Sequence, residues 1–435
     1  MFAIDGLELL RDTIADDATI VKARMNPKDF TRLRKMGARD LIYYCLNKKG
    51  LCTSMEINNF VDKVGKGESI SVQSLFDQRM KLSPLIFKEL NIKYLSSFYS
   101  EHPDEVKLYK GYVLLAIDGS DLEIPNTRAC IENYGSSGNS NGGVARAGAS
   151  ICYDLLNHYI TDGTVEAYRT AEIEMAMNHI KAVGSLIKPY NPIYIMDRNY
   201  VSLGFMQYFE QNGLKFLCRL KANSHYMEET ARMTTCDEIV EIKHTKNRLQ
   251  RSRFPSEELF QAVKGKTCTR VRIVKYLLPT GETEYLITNI EDFSYSEIID
   301  LYCARWGIET VYFSLKHKLK IEKFTSSIPQ LINQDVLSSI LAYNIVQSSK
   351  NEAHGTIEQT GYKHEMEVNE NLAIGFVKND LILIMLEEDT QKRQQMFDNM
   401  LIKIGRHKVP VRKGRNFPIV FKTDNTNSIN KLESY

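Results

Sequence analysis

Between Leu301 and Phe324 the chain reads LYCARWGIETVYFSLKHKLKIEKF, which sets one carboxylate among two cations and a phenol. At ~100° per residue, Tyr302, Arg305, Glu309 and Lys316 fall near about 0°, 300°, 340° and 320°, a sector roughly 60° wide on a helix. Leu301, Ala304, Ile308, Val311, Leu315 and Leu319 gather on a separate sector as the stripe that helix buries. An arginine fork, an ammonium and a hydroxyl beside a carboxylate can hold a phosphate along the face that presents the acid. The plain alternative is a solvated i,i+4 pair of Arg305 with Glu309, worth about a few tenths of a kcal/mol.

Two more acids stand where strands are expected to end. Tyr112 to Ile117 is a continuous apolar run with the length of a central strand, and it meets Asp118-Gly119-Ser120-Asp121. Pro192 to Met196 is a second short strand that ends at Asp197, followed by Arg198-Asn199-Tyr200. Taken singly, Asp118 reads as a turn aspartate before glycine, and Asp197 or Asn199 as the cap of a helix from about Val201 to Asn212. The end of a parallel strand is also where ligands collect in open α/β sheets.

The spacing Tyr302, two residues, Arg305, three residues, Glu309, six residues, Lys316 resembles the Tyr-Arg-Glu-Lys signature of a large group of bacterial insertion-sequence transposases with an Asp-Asp-Glu triad. Asp197-Arg198-Asn199-Tyr200 is similar to that group's second-aspartate motif, with Asn199 where glycine is usual. The resemblance implies that Asp118, Asp197 and Glu309 are catalytic and hold metal, with Asp121 as a rival to Asp118 off the same strand. It further implies that Tyr302, Arg305 and Lys316 hold DNA. Trp306, at about 40° on the same wheel, is assigned either to stacking on a flipped base or to the core. Arg146 and Arg79 complete the candidate DNA contacts.

The elements that must position these residues follow in order. Residues 1–105 read as a helical N-terminal module: a helix over Phe30 to Leu46, one over Val72 to Leu82 capped by Ser71, and one opened by Ser83-Pro84. The last two, with Gln78, Arg79 and Lys81, resemble a helix-turn-helix that either reads DNA ends or braces the core. Gly135 to Gly148 reads as a mobile loop that leaves Arg146 available to a phosphate. Strand-like runs at about Ala149 to Leu155 and His158 to Glu166 precede a helix over about Glu172 to Ile187, and Phe216 to Leu220 is another strand.

This order predicts an α/β fold with a ribonuclease-H-like mixed sheet flanked by helices, its core over 106–221 and 291–350. A β-rich insertion over 222–290 carries a hairpin around Pro279-Thr280-Gly281-Glu282 and a basic run, Lys243 to Arg253. Residues 351–435 are expected to form a helical region and an extended basic arm.

Composition agrees with a polyanionic partner. The net charge of +2 conceals nine cations against two acids between Lys22 and Lys49, and seven cations with no acid from Leu401 to Lys422. Eight scattered cysteines without a zinc spacing read as reduced thiols of a cytoplasmic protein, and no apolar run approaches a membrane span.

From the oxygen-only triad the expected cofactor is Mg²⁺, two ions, with Mn²⁺ as substitute. The resemblance implies double-stranded DNA as partner, both terminal inverted repeats and target, cut and pasted by a homodimer on paired ends. The other readings are a non-catalytic DNA-binding derivative, or a Mg²⁺-dependent nuclease that cuts without joining.

Overall fold

The computed structural model describes residues 2–32, 34–65, 67, 69–138, 143–221, 226–278, 280–355 and 361–411. Six helices come first: α1 (Phe2–Ala15), α2 (Asp17–Lys22), α3 (Ala38–Asn47), α4 (Thr53–Val64), α5 (Val72–Arg79) and α6 (Leu85–Glu101). The helix expected from Phe30 starts only at Ala38. Phe30 has φ 54°, which breaks a right-handed path, and Asp40 Oδ2 accepts the Gly37 N–H at 2.8 Å to open α3 instead. Ser71 does cap α5, its hydroxyl accepting from Ser74 N at 3.2 Å.

Arg79, expected to reach DNA from α5, is 0% exposed. Its guanidinium donates to Gln334 Oε1 (2.9 Å), Thr325 Oγ1 (2.6 Å), Leu331 O (3.2 Å) and Asp335 Oδ1 (2.8 Å). Every one of those acceptors lies in or just before α15 (Pro329–Gly355), so Arg79 bolts the N-terminal helices to the core and, fully buried, presents no donor to a phosphate.

The sheet explains where the acids sit. Its strands are β1 (Tyr112–Glu123), β2 (Ser136–Ser137), β3 (Val144–Asp154), β4 (Ile160–Ala167), β5 (Asn191–Met196), β6 (Lys215–Leu220), β7 (Asp237–Lys243), β8 (Cys268–Leu277) and β9 (Thr283–Thr288). The spatial order is β2-β3-β1-β5-β6-β9-β8-β7, with β4 also on β3. β4, β3 and β1 run antiparallel to their neighbours, whereas β1, β5 and β6 are parallel. This five-strand order is the ribonuclease-H-like arrangement.

Val113 to Ile117 are buried, as a strand covered on both faces requires. The strand does not stop at Asp118: its antiparallel register with β3 continues from Asp118↔Ile151 to Glu123↔Arg146. What stops there is the parallel partner. β5 pairs with β1 only as far as Ile117↔Met196 and then leaves at Asp197, so both aspartates stand at the gap.

Three segments cross over the sheet: α7 (Arg128–Tyr134), α8 (Glu172–Val183) and α9 (Leu203–Gln211), the last capped by Ser202 rather than Asp197 or Asn199. The later insertion carries α10 (Met227–Arg232), α11 (Lys246–Arg251) and α12 (Glu257–Lys264). Its strands do not form a separate sheet. β9 adds antiparallel to β6 and is followed by β8 and β7, so the insertion lengthens the core sheet.

The expected single helix from Leu301 is two helices joined tightly. α13 (Tyr295–Ala304), opened by a Ser294–Glu297 capping box, ends in a turn where Arg305 N and Trp306 N donate three residues back to Tyr302 O and Cys303 O. α14 (Gly307–Phe313) follows and widens into a π turn over Ser314–Lys318. Gly307 lies against the sheet, where a Cβ would come 3.3 Å from Leu155 Cδ2. The tighter turn rotates the stripe: Ala304 is exposed, whereas Tyr302 and Arg305 are buried.

Behind the sheet, Leu331 to Ser349 of α15 are almost wholly buried between β4 and the helices α3, α6, α16 (Glu370–Leu386) and α17 (Thr390–Arg406). β10 (Met366–Val368) and β11 (Lys408–Pro410) pair antiparallel near the end of the described chain. The expected basic arm begins inside α17, and residues 412–435 lie outside the described residues. Half of the loop expected over Gly135 to Gly148 is strand, in β2 and the start of β3, and residues 139–142 lie outside the described set.

Candidate active site

At the gap beside β1, three side chains from three elements are joined through one guanidinium. Arg305, from the turn between α13 and α14, reaches Asp118 Oδ2 at 3.5 Å and Glu309 Oε1 at 3.1 Å. Its Nε is buried without a hydrogen-bond partner. The ring of Tyr302 lies under the guanidinium, 5.6 Å centroid to Cζ, and the Tyr302 hydroxyl donates to Asp197 Oδ1 at 3.2 Å. Asp118, Asp197, Glu309, Tyr302 and Arg305 thus form one contact cluster.

The acids are not in equivalent environments. Burial pushes the Asp118 carboxyl up to about 6, against the pull of Arg305 and the Gly119 N–H, and nearby Asp197 and Glu172 add to the rise. Asp197 goes the other way. Burial raises it, but the Arg198 N–H and the fork of Arg219 outweigh burial and hold it below the ordinary carboxylate range. Arg219 donates from Nε to Asp197 Oδ1 (2.9 Å) and from Nη2 to Oδ2 (3.2 Å), while Nη1 donates to Glu284 Oε1 at 2.8 Å. Tyr276 then donates to Glu284 Oε2 at 2.7 Å. Glu284 is on β9 and Tyr276 on β8, so the insertion braces the second aspartate.

Strand alternation separates Asp118 from its rival. Asp118 and Ser120 share the face that meets α14, since Lys316 Nζ donates to Ser120 Oγ at 2.9 Å and to the Asp121 carbonyl at 2.6 Å. The Asp121 side chain belongs to the opposite face. The Tyr312 hydroxyl donates to the Asp118 carbonyl at 2.9 Å and fixes α14 against β1 at the acid itself.

Trp306 is 58% exposed beside this cluster, not in the core. Arg146 pairs with Glu123 at 2.9 Å, directly opposite it on β1, farther along the same strand pair. Arg79 is remote, sealed against α15. In the basic run of the insertion, Arg248 forms a buried pair with Glu229 at 2.7 Å. Sequence reasoning passed over Arg219, Glu284, Tyr312 and Glu172. An arginine inside the otherwise apolar strand Phe216–Leu220 was the one available signal.

The donor set is oxygen only, which fits a hard divalent cation. Among the described residues, no three acids, histidines or cysteines stand close enough together to hold an ion, and Arg305 and Arg219 pair with the carboxylates. The groups therefore fit such an ion in kind, with the arginines standing in as the positive charge.

Residues 109–345, more than half of the chain, match the model of the transposase DDE domain. The chain belongs to this transposase family. A curated relative, the transposase InsG of insertion sequence element IS4 from Escherichia coli K12, is 27% identical over 248 residues. That match covers 54% of this chain and 52% of the relative, so it spans about half the relative's length. Among solved structures, the piggyBac transposase synaptic complex with hairpin DNA aligns at a TM-score of 0.47 and 10% identity, over 92% of this chain and 85% of the other. The family match begins just before β1 and ends inside α15, so it encloses every member of the acid cluster. Among the described residues, no helix is long and apolar enough to cross a membrane.

Proposed function

We propose that this chain is a cut-and-paste DNA transposase that cleaves the ends of its own insertion sequence and transfers the freed 3′-hydroxyl into target DNA. One observation carries the reading: Asp118, Asp197 and Glu309 come from three elements to the single gap where β5 leaves β1, joined there by Arg305 and Tyr302. Membership of the transposase DDE family supports it.

Transposases of this kind use divalent metal in general. Here Asp118, Asp197 and Glu309 are the residues to hold it, as two Mg²⁺ ions with Mn²⁺ as substitute. When bound, such ions supply an activated water or 3′-hydroxyl and stabilise the leaving oxygen. The chain's own residues do the rest. Arg305 offers to a phosphate the same planar fork it now offers to carboxylates, and Lys316 adds a point charge at the end of the same face. Tyr302 and Arg219 orient Asp197, and Tyr312 keeps α14 seated on β1. Arg146 can turn from Glu123 to a phosphate at the rim, and two copies act on paired ends.

The test uses a plasmid carrying the protein's coding segment with its flanking DNA, incubated with wild type or Glu309→Gln, with and without Mg²⁺. Excision or joined products from wild type and metal alone support the proposal. End binding without cutting under any divalent metal assigns the chain to DNA binding, and cutting without joined products assigns it to a nuclease.

A further inference from the structure

Along α14 and its π turn runs a second stripe, beside the acids, that the cluster does not use. Trp306, Thr310, Phe313 and His317 are spaced i, i+4, i+7 and i+11, and all four are exposed, Trp306 at 58% and Phe313 at 54%. Phe313 and His317 pair at 4.7 Å between ring centroids, tilted by 44°, with Lys318 Nζ 5.9 Å from the Phe313 centroid. Exposed large aromatics aligned on one helix face need a reason, since burial is worth about 1.5–3 kcal/mol for such a side chain.

On an ideal helix, this stripe lies about 90° from the one holding Arg305, Glu309 and Lys316. The two rails therefore run side by side, one charged and one aromatic. From Thr310 to Ile321 there are three lysines and no acid, with Lys316 held on β1 and Lys318 paired with Glu370 at 2.7 Å. A cationic track for the sugar-phosphate chain beside aromatic faces for the bases is the pattern of sequence-tolerant binding of unpaired strands. Seven residues from Trp306 to Phe313 rise about 10 Å, roughly three stacked nucleotide steps at 3.4 Å each.

We infer that Phe313, backed by His317, is a second stacking station for unpaired bases of the DNA strand at the site, about three nucleotides from Trp306. The inference rests on the proposed transposase reading for the presence of DNA in the cleft. It assigns the patch to an unpaired strand rather than to a second copy of the chain, because the neighbouring rail carries Arg305 and Lys316, whose cations bind phosphate.

The test uses the full chain in EDTA and two probes cut from the DNA flanking its coding segment. One is a fully paired duplex; the other is the same duplex with three unpaired nucleotides at the end, one of them 2-aminopurine. Phe313→Ala is expected to lose about tenfold in affinity for the frayed probe, together with the 2-aminopurine quench, and less than about twofold for the duplex. Equal losses on both probes, no loss on either, or a change in oligomeric state on size exclusion would overturn the station, the last assigning the stripe to a subunit contact. Metal-dependent cleavage by wild type is scored separately. If wild type cleaves and Phe313→Ala binds both probes normally, the station alone fails; if the frayed-probe loss appears but wild type never cleaves, the transposase reading alone fails. Wild type that binds neither probe refutes both.

Discussion

Two clusters in this molecule are built from the same parts, arginine and carboxylate, and they are finished to different degrees. Around Asp335, both carboxylate oxygens are answered, although the buried Lys48 Nζ beside it makes an ion pair without a hydrogen bond. Arg79 reaches Oδ1 at 2.8 Å and Lys48 reaches Oδ2 at 3.3 Å, and the Thr325 N–H and hydroxyl donate to that same Oδ2. Burial raises Asp335, yet Lys48, Arg79 and Thr325 together hold it below the ordinary range. Around Asp118 the account is left open: one arginine at 3.5 Å, one adjacent N–H, a buried Arg305 Nε with no partner, and a carboxyl pushed up to about 6. A sealed pair serves the fold, whereas an underpaired acid keeps capacity for a ligand that the chain itself does not supply.

The widest gap between the clusters should appear in activity. Asp118→Asn is expected to lower end cleavage by about a thousandfold or more, the several kcal/mol that a metal-held transition state is worth, while Asp121→Asn keeps it. Retained cleavage in Asp118→Asn with loss in Asp121→Asn would reverse the assignment. Stability should show the mirror image. Arg79→Ala leaves Asp335 charged and buried, which costs about 3–5 kcal/mol by urea or thermal unfolding. A loss below about 1 kcal/mol would mean the sealed cluster contributes little.

The brace from the insertion lies between these extremes. Arg219→Ala is expected to cut the rate about 10- to 100-fold and to raise the metal concentration needed, with no shift in unfolding temperature beyond about 2–4 °C. An unchanged metal requirement would show that Asp197 holds its place without the fork.

The smallest effect is the most diagnostic. Because the folded pKa of Asp118 lies above the unfolded value, the native state binds the proton more tightly between about pH 4 and 6, and stability falls as pH rises through that window. In metal-free buffer at pH 7, Asp118→Asn should therefore unfold about 1 kcal/mol less readily than wild type. For Asp335 the sign is opposite: its contribution is present above the ordinary carboxylate range and is lost as pH falls below it. A neutral residue that is inactive but more stable at one cluster, and less stable at the other, would confirm the contrast.

Much of the acid cluster is legible in the sequence. The four spaced residues from Tyr302 to Lys316 and the two strand-end acids were visible because local spacing and apolar runs carry that information. Three features were not. Asp118 looked like a turn residue because Gly119 follows it, whereas the pairing with β3 that keeps it in a strand depends on Ile151, far along the chain. Arg79 looked like a DNA contact because a charge on a short helix reads as surface, and only Asp335 reverses that. The tight turn at Arg305 left no local sign, since Arg305 and Trp306 keep right-handed angles and only the hydrogen-bond spacing changes. In the first two cases the partner that decides the outcome is distant in sequence.

The Arg79–Asp335 pair sets a timetable for synthesis. The two residues are 256 positions apart. At about 5–20 residues per second, a ribosome needs roughly 13–50 s to make the counter-ion after Arg79 has been made. Through that interval the N-terminal helices carry two cations, Lys48 and Arg79, whose burial is not yet affordable. They must wait in a loose state. A message cut short before Asp335 should then yield a fragment without its keystone, open to proteolysis, even though such a fragment can already contain all three acids of the cleft.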